Sequence, residues 1–137
     1  MKYLLDTNIL VSAALHPGGT AGRTYDIALT QGVDAVVCDY SLKEMRDVFA
    51  RKFPGRETAL AVFMAGVATG MDIVPTPDTA GSAVSLDKIR DPKDWPILRA
   101  ALAAGVDVIV TGDKDLVDAG LTTPRVLTPA AFLLEVQ

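Results

Sequence analysis

One cysteine and one histidine among 137 residues set the first limits on this chain. With Cys38 alone, no intrachain disulfide can form and a thiolate cage around zinc is excluded. With His16 alone, placed in a His-Pro-Gly-Gly turn, neither a paired-histidine ribonuclease mechanism nor a two-histidine zinc site is possible. Ser12, Ser41, Ser82 and Ser85 have no histidine base at a suitable position, which disfavours hydrolysis by a nucleophile triad. The phosphate loop G-x-x-x-x-G-K-[ST] and the dinucleotide fingerprint G-x-G-x-x-G are both missing. No apolar run approaches the roughly 18 residues that span a bilayer, and the N-terminus has no cleavable signal pattern. No membrane is therefore expected, and a reducing cytoplasm is the expected location. Positive charge is short as well. Thirteen Lys and Arg against 17 Asp and Glu leave a net charge of −4, which argues against gripping nucleic acid by overall charge. A nuclease remains compatible with that balance, because catalytic carboxylates add negative charge that a bound cation offsets.

What is present reads as one α/β domain over residues 1–137, with half of the residues apolar. Short apolar runs predict strands at 2–6, 35–38, 71–74, 106–110 and 125–127. Helical spacing predicts helices over 20–31, 40–52, 58–70, 94–104 and 130–136. In the second of these helices Leu42, Met45, Phe49 and Phe53 recur on one side, and the pattern stops before Pro54. Residues 76–85, rich in Thr, Pro, Gly and Ser, read as loop. Strands alternating with helices imply a mostly parallel sheet covered on both faces.

Ligands of open parallel sheets bind outside the carboxyl ends of the strands. Asp6 closes the first strand, and Asp113 lies just past the strand at 106–110. Asp94 opens the helix leading into that strand, and Glu44 lies in the first turns of the helix after the second strand. Each acid also has a purely structural reading. Asp94 can be a helix N-cap, and Ser41 with Glu44 makes the S-x-x-E capping box. Asp6 can cap residues 8–13, and Asp113 or Asp115 can cap the short segment at Leu116. Converging together, however, four carboxylates repel one another and raise each other's pKa. A divalent cation relieves that repulsion, and oxygen-only ligands select Mg²⁺ or Mn²⁺ over zinc. The chemistry left standing is a carboxylate-bound metal that activates water and stabilises charge on a phosphate. Basic residues cluster at Lys43, Arg46, Arg51, Lys52 and Arg56, and again at Lys88, Arg90 and Lys93. Both clusters can be solvated surface. If RNA is the substrate, Lys43, Arg46 and Lys93 are the first candidates for contacts to its phosphates.

Four stretches together resemble one family. Leu4-Leu5-Asp6-Thr7-Asn8-Ile9-Leu10 looks like the opening motif of PIN domains, including the toxin nucleases of bacterial toxin–antitoxin pairs. Glu44 in Lys43-Glu44-Met45-Arg46-Asp47-Val48-Phe49 matches the second acidic position of that family. Arg90-Asp91-Pro92-Lys93-Asp94, followed by Ala100 to Gly105, resembles its third, and Val108 to Leu116 resembles its fourth motif. The similarity runs along nearly the whole chain, in order. It implies a three-layer α/β fold with about five strands in the order 3-2-1-4-5. It also implies endonuclease action on single-stranded RNA with Mg²⁺ or Mn²⁺, with Asp6, Glu44, Asp94 and Asp113 as metal-binding and catalytic acids. Asn8 and Thr111 would orient those acids, and Asp115 would be an auxiliary acid or the cap of the next turn. A cognate antitoxin and a homodimer are the partners the resemblance implies. Trp95-Pro96 after the third acid and Cys38 at a strand end depart from the family pattern without removing a ligand. Two other readings stay open: a non-catalytic PIN-like module that binds metal, RNA or protein, and a phosphatase of the haloacid-dehalogenase type. The phosphatase needs a second Asp two residues after the first, where this chain has Asn8.

Overall fold

The computed structural model describes residues 1–30, 32–78 and 95–136. The short apolar runs become β1 (Lys2–Leu5), β2 (Asp34–Cys38), β3 (Asp72–Val74), β4 (Val108–Val110) and β5 (Arg125–Leu127). They pair in the order β3-β2-β1-β4-β5, the order that the family resemblance implies, and every pairing is parallel. Seven helices complete the described residues: α1 (Thr7–Leu15), α2 (Thr20–Ala28), α3 (Asp39–Lys52), α4 (Glu57–Gly70), α5 (Trp95–Ala103), α6 (Lys114–Val117) and α7 (Pro129–Val136).

Alternation along the strands divides the core between the two faces of the sheet. Tyr3, Leu5, Val37, Val108 and Val110 join one apolar cluster with Leu10 of α1, Met45 and Phe49 of α3, Val67 of α4 and Phe132 of α7. Leu4, Val36 and Ile109 point the other way, into a second cluster with Ile97, Leu98 and Ala101 of α5 and Leu116 of α6. A parallel sheet buried on both faces needs such apolar strands, and these are almost wholly buried in β1, β2 and β4. No helix among the described residues is long and apolar enough to cross a membrane.

Several boundaries differ from the sequence expectation. Strand β1 stops at Leu5, because Asp6 already serves as the N-cap of α1, which runs over Thr7–Leu15 rather than residues 8–13. Helix α2 ends at Ala28 rather than 31: Thr30 N bonds back to Ile27 O, and Gly32 takes a φ of 97° that favours glycine. Helix α3 starts at Asp39, directly off β2, with Cys38 as its N-cap. The strand expected at 106–110 is confined to Val108–Val110. Residues 79–85 of the expected loop, together with Lys93 and Asp94, lie outside the described residues.

Candidate functional site

The centre of the site is the junction between β1 and β4. Leu5 pairs with Val110, and Asp6 N donates to Val110 O at 3.0 Å, so the residues just beyond the two strands meet. Asp6 is 5% exposed. Its Oδ1 accepts from Thr7 N at 2.7 Å; its Oδ2 accepts from Thr111 Oγ1 at 2.7 Å and from Asn8 Nδ2 at 3.3 Å. The Thr111 hydroxyl in turn accepts from Asn8 Nδ2 at 3.1 Å and from Asp113 N at 3.0 Å. Asn8 Oδ1 accepts from Gly112 N at 2.9 Å. Asn8 and Thr111, which the resemblance would have orient the acids, both donate hydrogen bonds to Asp6. Asp113 caps α6, its Oδ1 accepting from Asp115 N at 2.9 Å. The cap of that turn is therefore Asp113, and Asp115 lies within the first turn instead of capping it.

Glu44 reaches the same rim from α3. The capping box expected of Ser41 and Glu44 is not formed, because the helix begins two residues before Ser41 and has no side-chain cap. Ser41 Oγ, fully buried, instead accepts from Thr7 Oγ1 at 2.9 Å and lies 3.3 Å from Cys38 Sγ. This hydroxyl chain pins the start of α3 to the start of α1. Glu44 follows Ser41 by one helical turn, and its Oε2 accepts from Tyr40 Oη at 3.3 Å.

Glu44 and Asp113 lie near enough to Asp6 to act on its charge. Burial pushes the Asp6 carboxyl up from 3.8 to about 6, while the bonds from Thr111 and Thr7 oppose the rise; the negative charges of Glu44 and Asp113 add to it. Tyr40 is pushed up to about 12, first by burial and then by Glu44, with Asp6 contributing. Its phenol stays protonated and remains a donor to Glu44.

The donor set suits a hard cation in kind, since every candidate ligand is a carboxylate oxygen. Among the described residues, no three acidic, histidine or cysteine side chains close around a metal by themselves. Asp94, the remaining acid of the expected set, is not among them.

Two clefts flank this centre. One, of about 700 Å³, is lined by Asn8, Ser12, His16, Thr20 and Asp113 among others. The second, of about 480 Å³, is lined by Tyr40, Lys43, Glu44, Asp47 and Arg51 of α3. Lys43 therefore shares a cleft with Glu44, whereas Arg46 is exposed on α3 outside that stripe. Sequence reasoning missed Tyr40, for which its i, i+4 spacing with Glu44 was the signal available. His16 lies in the turn it was read in, as the C-cap of α1, and lines the 700 Å³ cleft.

The sequence pattern of the PIN domain matches residues 2–115. The uncharacterized protein MJ1680 of Methanocaldococcus jannaschii is 25% identical over 121 residues, covering 85% of this chain and 74% of that protein. Among solved structures, PAE2754 from Pyrobaculum aerophilum superposes with a TM-score of 0.68 at 18% identity, over 99% of this chain and 89% of that one. VapBC2 from Rickettsia felis, bound to a DNA fragment from its promoter, gives 0.67 at 17% identity over 93% and 98% of the two chains. DNA-bound VapBC from Salmonella typhimurium gives 0.67 at 19% identity over 94% and 98%. At these identities the structural likeness speaks for the fold.

Proposed function

The chain belongs to the PIN domain family, and from that premise we propose that it is a metal-dependent endoribonuclease cutting single-stranded RNA. In this reading residues 1–137 act as one nuclease domain. The observation that carries it is Asp6: a buried carboxylate, oriented by three donors, whose ionisation is opposed by burial and by the charges of Glu44 and Asp113. A cation beside it would restore its charge, and a structural N-cap has no need of such crowding.

Asp6, Glu44, Asp94 and Asp113 would hold Mg²⁺ or Mn²⁺. When bound, the ion supplies Lewis acidity at the phosphate and a water of lowered pKa for attack on phosphorus. Thr111 and Asn8 keep Asp6 in one orientation through the reaction. Tyr40 holds Glu44 by a neutral donor that does not compete as a charge. Asp115, in the first turn of α6, is an auxiliary acid at most. Lys43, Arg46 and Lys93 would meet the RNA phosphates, with Lys43 best placed because it shares the Glu44 cleft. Water adds across one P–O bond, leaving a phosphate on one fragment and a hydroxyl on the other.

The VapBC neighbours support a place in a toxin–antitoxin pair, with this chain as toxin and an antitoxin as partner; a homodimer is the working form that the family resemblance implies. A small protein encoded in the adjacent reading frame is the observation that tests the pairing. For the activity, the full chain is incubated with single-stranded RNA and Mg²⁺ or Mn²⁺. Cutting should stop on chelation and vanish in Asp6→Asn and Asp94→Asn while the circular dichroism stays unchanged. Cutting that persists undiminished in both variants overturns the site.

A further inference from the structure

The 700 Å³ cleft beside Asp113 has a composition unlike the rest of the rim. None of the described residues lining it is Lys or Arg. Its walls offer the Ser12 and Thr20 hydroxyls and the His16 imidazole, and Ile9, Ala21 and Pro129 supply apolar surface. We propose that this cleft is a nucleobase subsite, taking an unpaired base next to the phosphate that is cut. The inference rests on the ribonuclease reading and adds to it where base selectivity arises.

The argument is one of chemical fit. Beyond the cation that Asp113 would help to hold, a further phosphate in this cleft would find no basic side chain among the described lining residues. A base is uncharged and needs none. Its flat face suits apolar surface and an imidazole ring, and its edges need neutral donors and acceptors such as hydroxyls. The volume lies within the roughly 300–1,000 Å³ usual for small-ligand sites. The cleft on α3 is the counterpart: there Lys43 and Arg51 suit the charged backbone. A strand crossing the acids would thus leave phosphate on one side and base on the other. A paired base, with its edge already engaged, could not enter, which matches a single-stranded substrate.

His16 is also held in advance of binding. Its N–H donates to Ser12 O at 2.8 Å and its carbonyl accepts from Gly19 N at 2.9 Å. Pro17 packs so closely on α2 that a Cβ at Gly22 would overlap its carbonyl, so the turn has little freedom to lose on binding.

The test is a binding cycle on the full chain without divalent metal. Fluorescence anisotropy is read for a labelled single-stranded RNA octamer and for versions made abasic at each position in turn. Wild type should lose about tenfold in affinity when one position is made abasic, a loss in the range of one base stack. His16→Ala should lose about the same on the intact octamer and nothing further on that abasic one; Ser12→Ala should behave likewise with a smaller loss. His16 lies on the surface, and unchanged circular dichroism will show that the variants are folded. Equal affinity of wild type and His16→Ala, or losses that multiply independently, overturns the subsite while leaving the nuclease reading in place. Absence of any RNA binding by wild type overturns the subsite, and absence of cutting with Mg²⁺ or Mn²⁺ as well overturns both. Binding without cutting on addition of Mg²⁺ or Mn²⁺ overturns the nuclease reading alone.

Discussion

On the β1–β4 side of the acidic rim, Asp6 is buried and accepts hydrogen bonds from Thr7, Asn8 and Thr111. On the α3 side, Glu44 is half-buried and accepts a 3.3 Å bond from Tyr40 of its own helix. The first carboxylate is tied to the start of α1 and to Thr111 just past β4, and can hardly turn. The second sits on a side chain with more rotamers and one long tether, and its position depends on where Ser41 and Thr7 set the helix. The burial that raises Asp6's pKa falls on the immobile partner. On the proposed reading, an anchored acid and an adjustable one would let the site bind a cation at a fixed point and still accommodate a moving substrate.

The largest effect that could break this contrast is on cutting itself. Asp6→Asn should lower single-turnover cleavage of single-stranded RNA by more than about a hundredfold, beyond what loss of an outer hydrogen-bonding partner causes. Glu44→Gln should cost less, and equal losses would show that the two acids are not held differently in any way that matters. Next comes Thr111→Val, which removes a hydroxyl serving Asp6, Asn8 and Asp113 N at once. Activity should fall about 10- to 100-fold, and stability by about 2 kcal/mol, since buried partners are left unsatisfied. Denaturant unfolding checks the second number. Ser41→Ala, on the helix side, should cost nearer 1 kcal/mol, and the reverse order of these two would undo the comparison.

A pH experiment sharpens it further. The Asp6 carboxyl titrates near 6 in the fold against an ordinary 3.8, so its ionisation weighs against folding. That penalty is absent below about pH 4, grows as pH rises to about 6 and is complete above it. Without metal, the stability of wild type relative to Asp6→Asn should therefore fall by about 3 kcal/mol between about pH 4 and pH 7. Mg²⁺ should restore much of it. A difference that stays flat with pH would mean that Asp6 is not crowded. The smallest effect is electrostatic: Lys43→Ala should reduce the salt dependence of RNA binding by a slope of about 0.7, one phosphate contact. An unaltered slope would take Lys43 off the path.

Much of this was legible beforehand because it is written in short apolar runs. Leu4-Leu5 ending on Asp6, and Val108 to Val110 ending before Asp113, announce two strand ends and the acids beyond them. The strand order came from family resemblance, since no local pattern says that β1 lies between β2 and β4. The Ser41–Glu44 capping box failed for a tertiary reason. Strand β2 passes into α3 without a loop, so Ser41 is already inside the helix and turns to Thr7, a partner 34 positions away. His16 was read as a turn because its cleft exists only once Gly112 and Asp113 arrive from the other end of the chain. Asp94 keeps the standing its motif gave it, being outside the described residues.

The bond from Thr111 to Asp6 joins groups 105 positions apart, and β1 gains its β4 neighbour only after most of the chain exists. During synthesis, then, the first acid leaves the ribosome early and waits. Until β4 emerges and docks, Asp6 lacks the hydroxyl that orients it, and the floor of the site is missing. A chain cut short before that point carries the opening motif without its partner motif, so if the chain is a nuclease its activity would be withheld until folding is nearly complete.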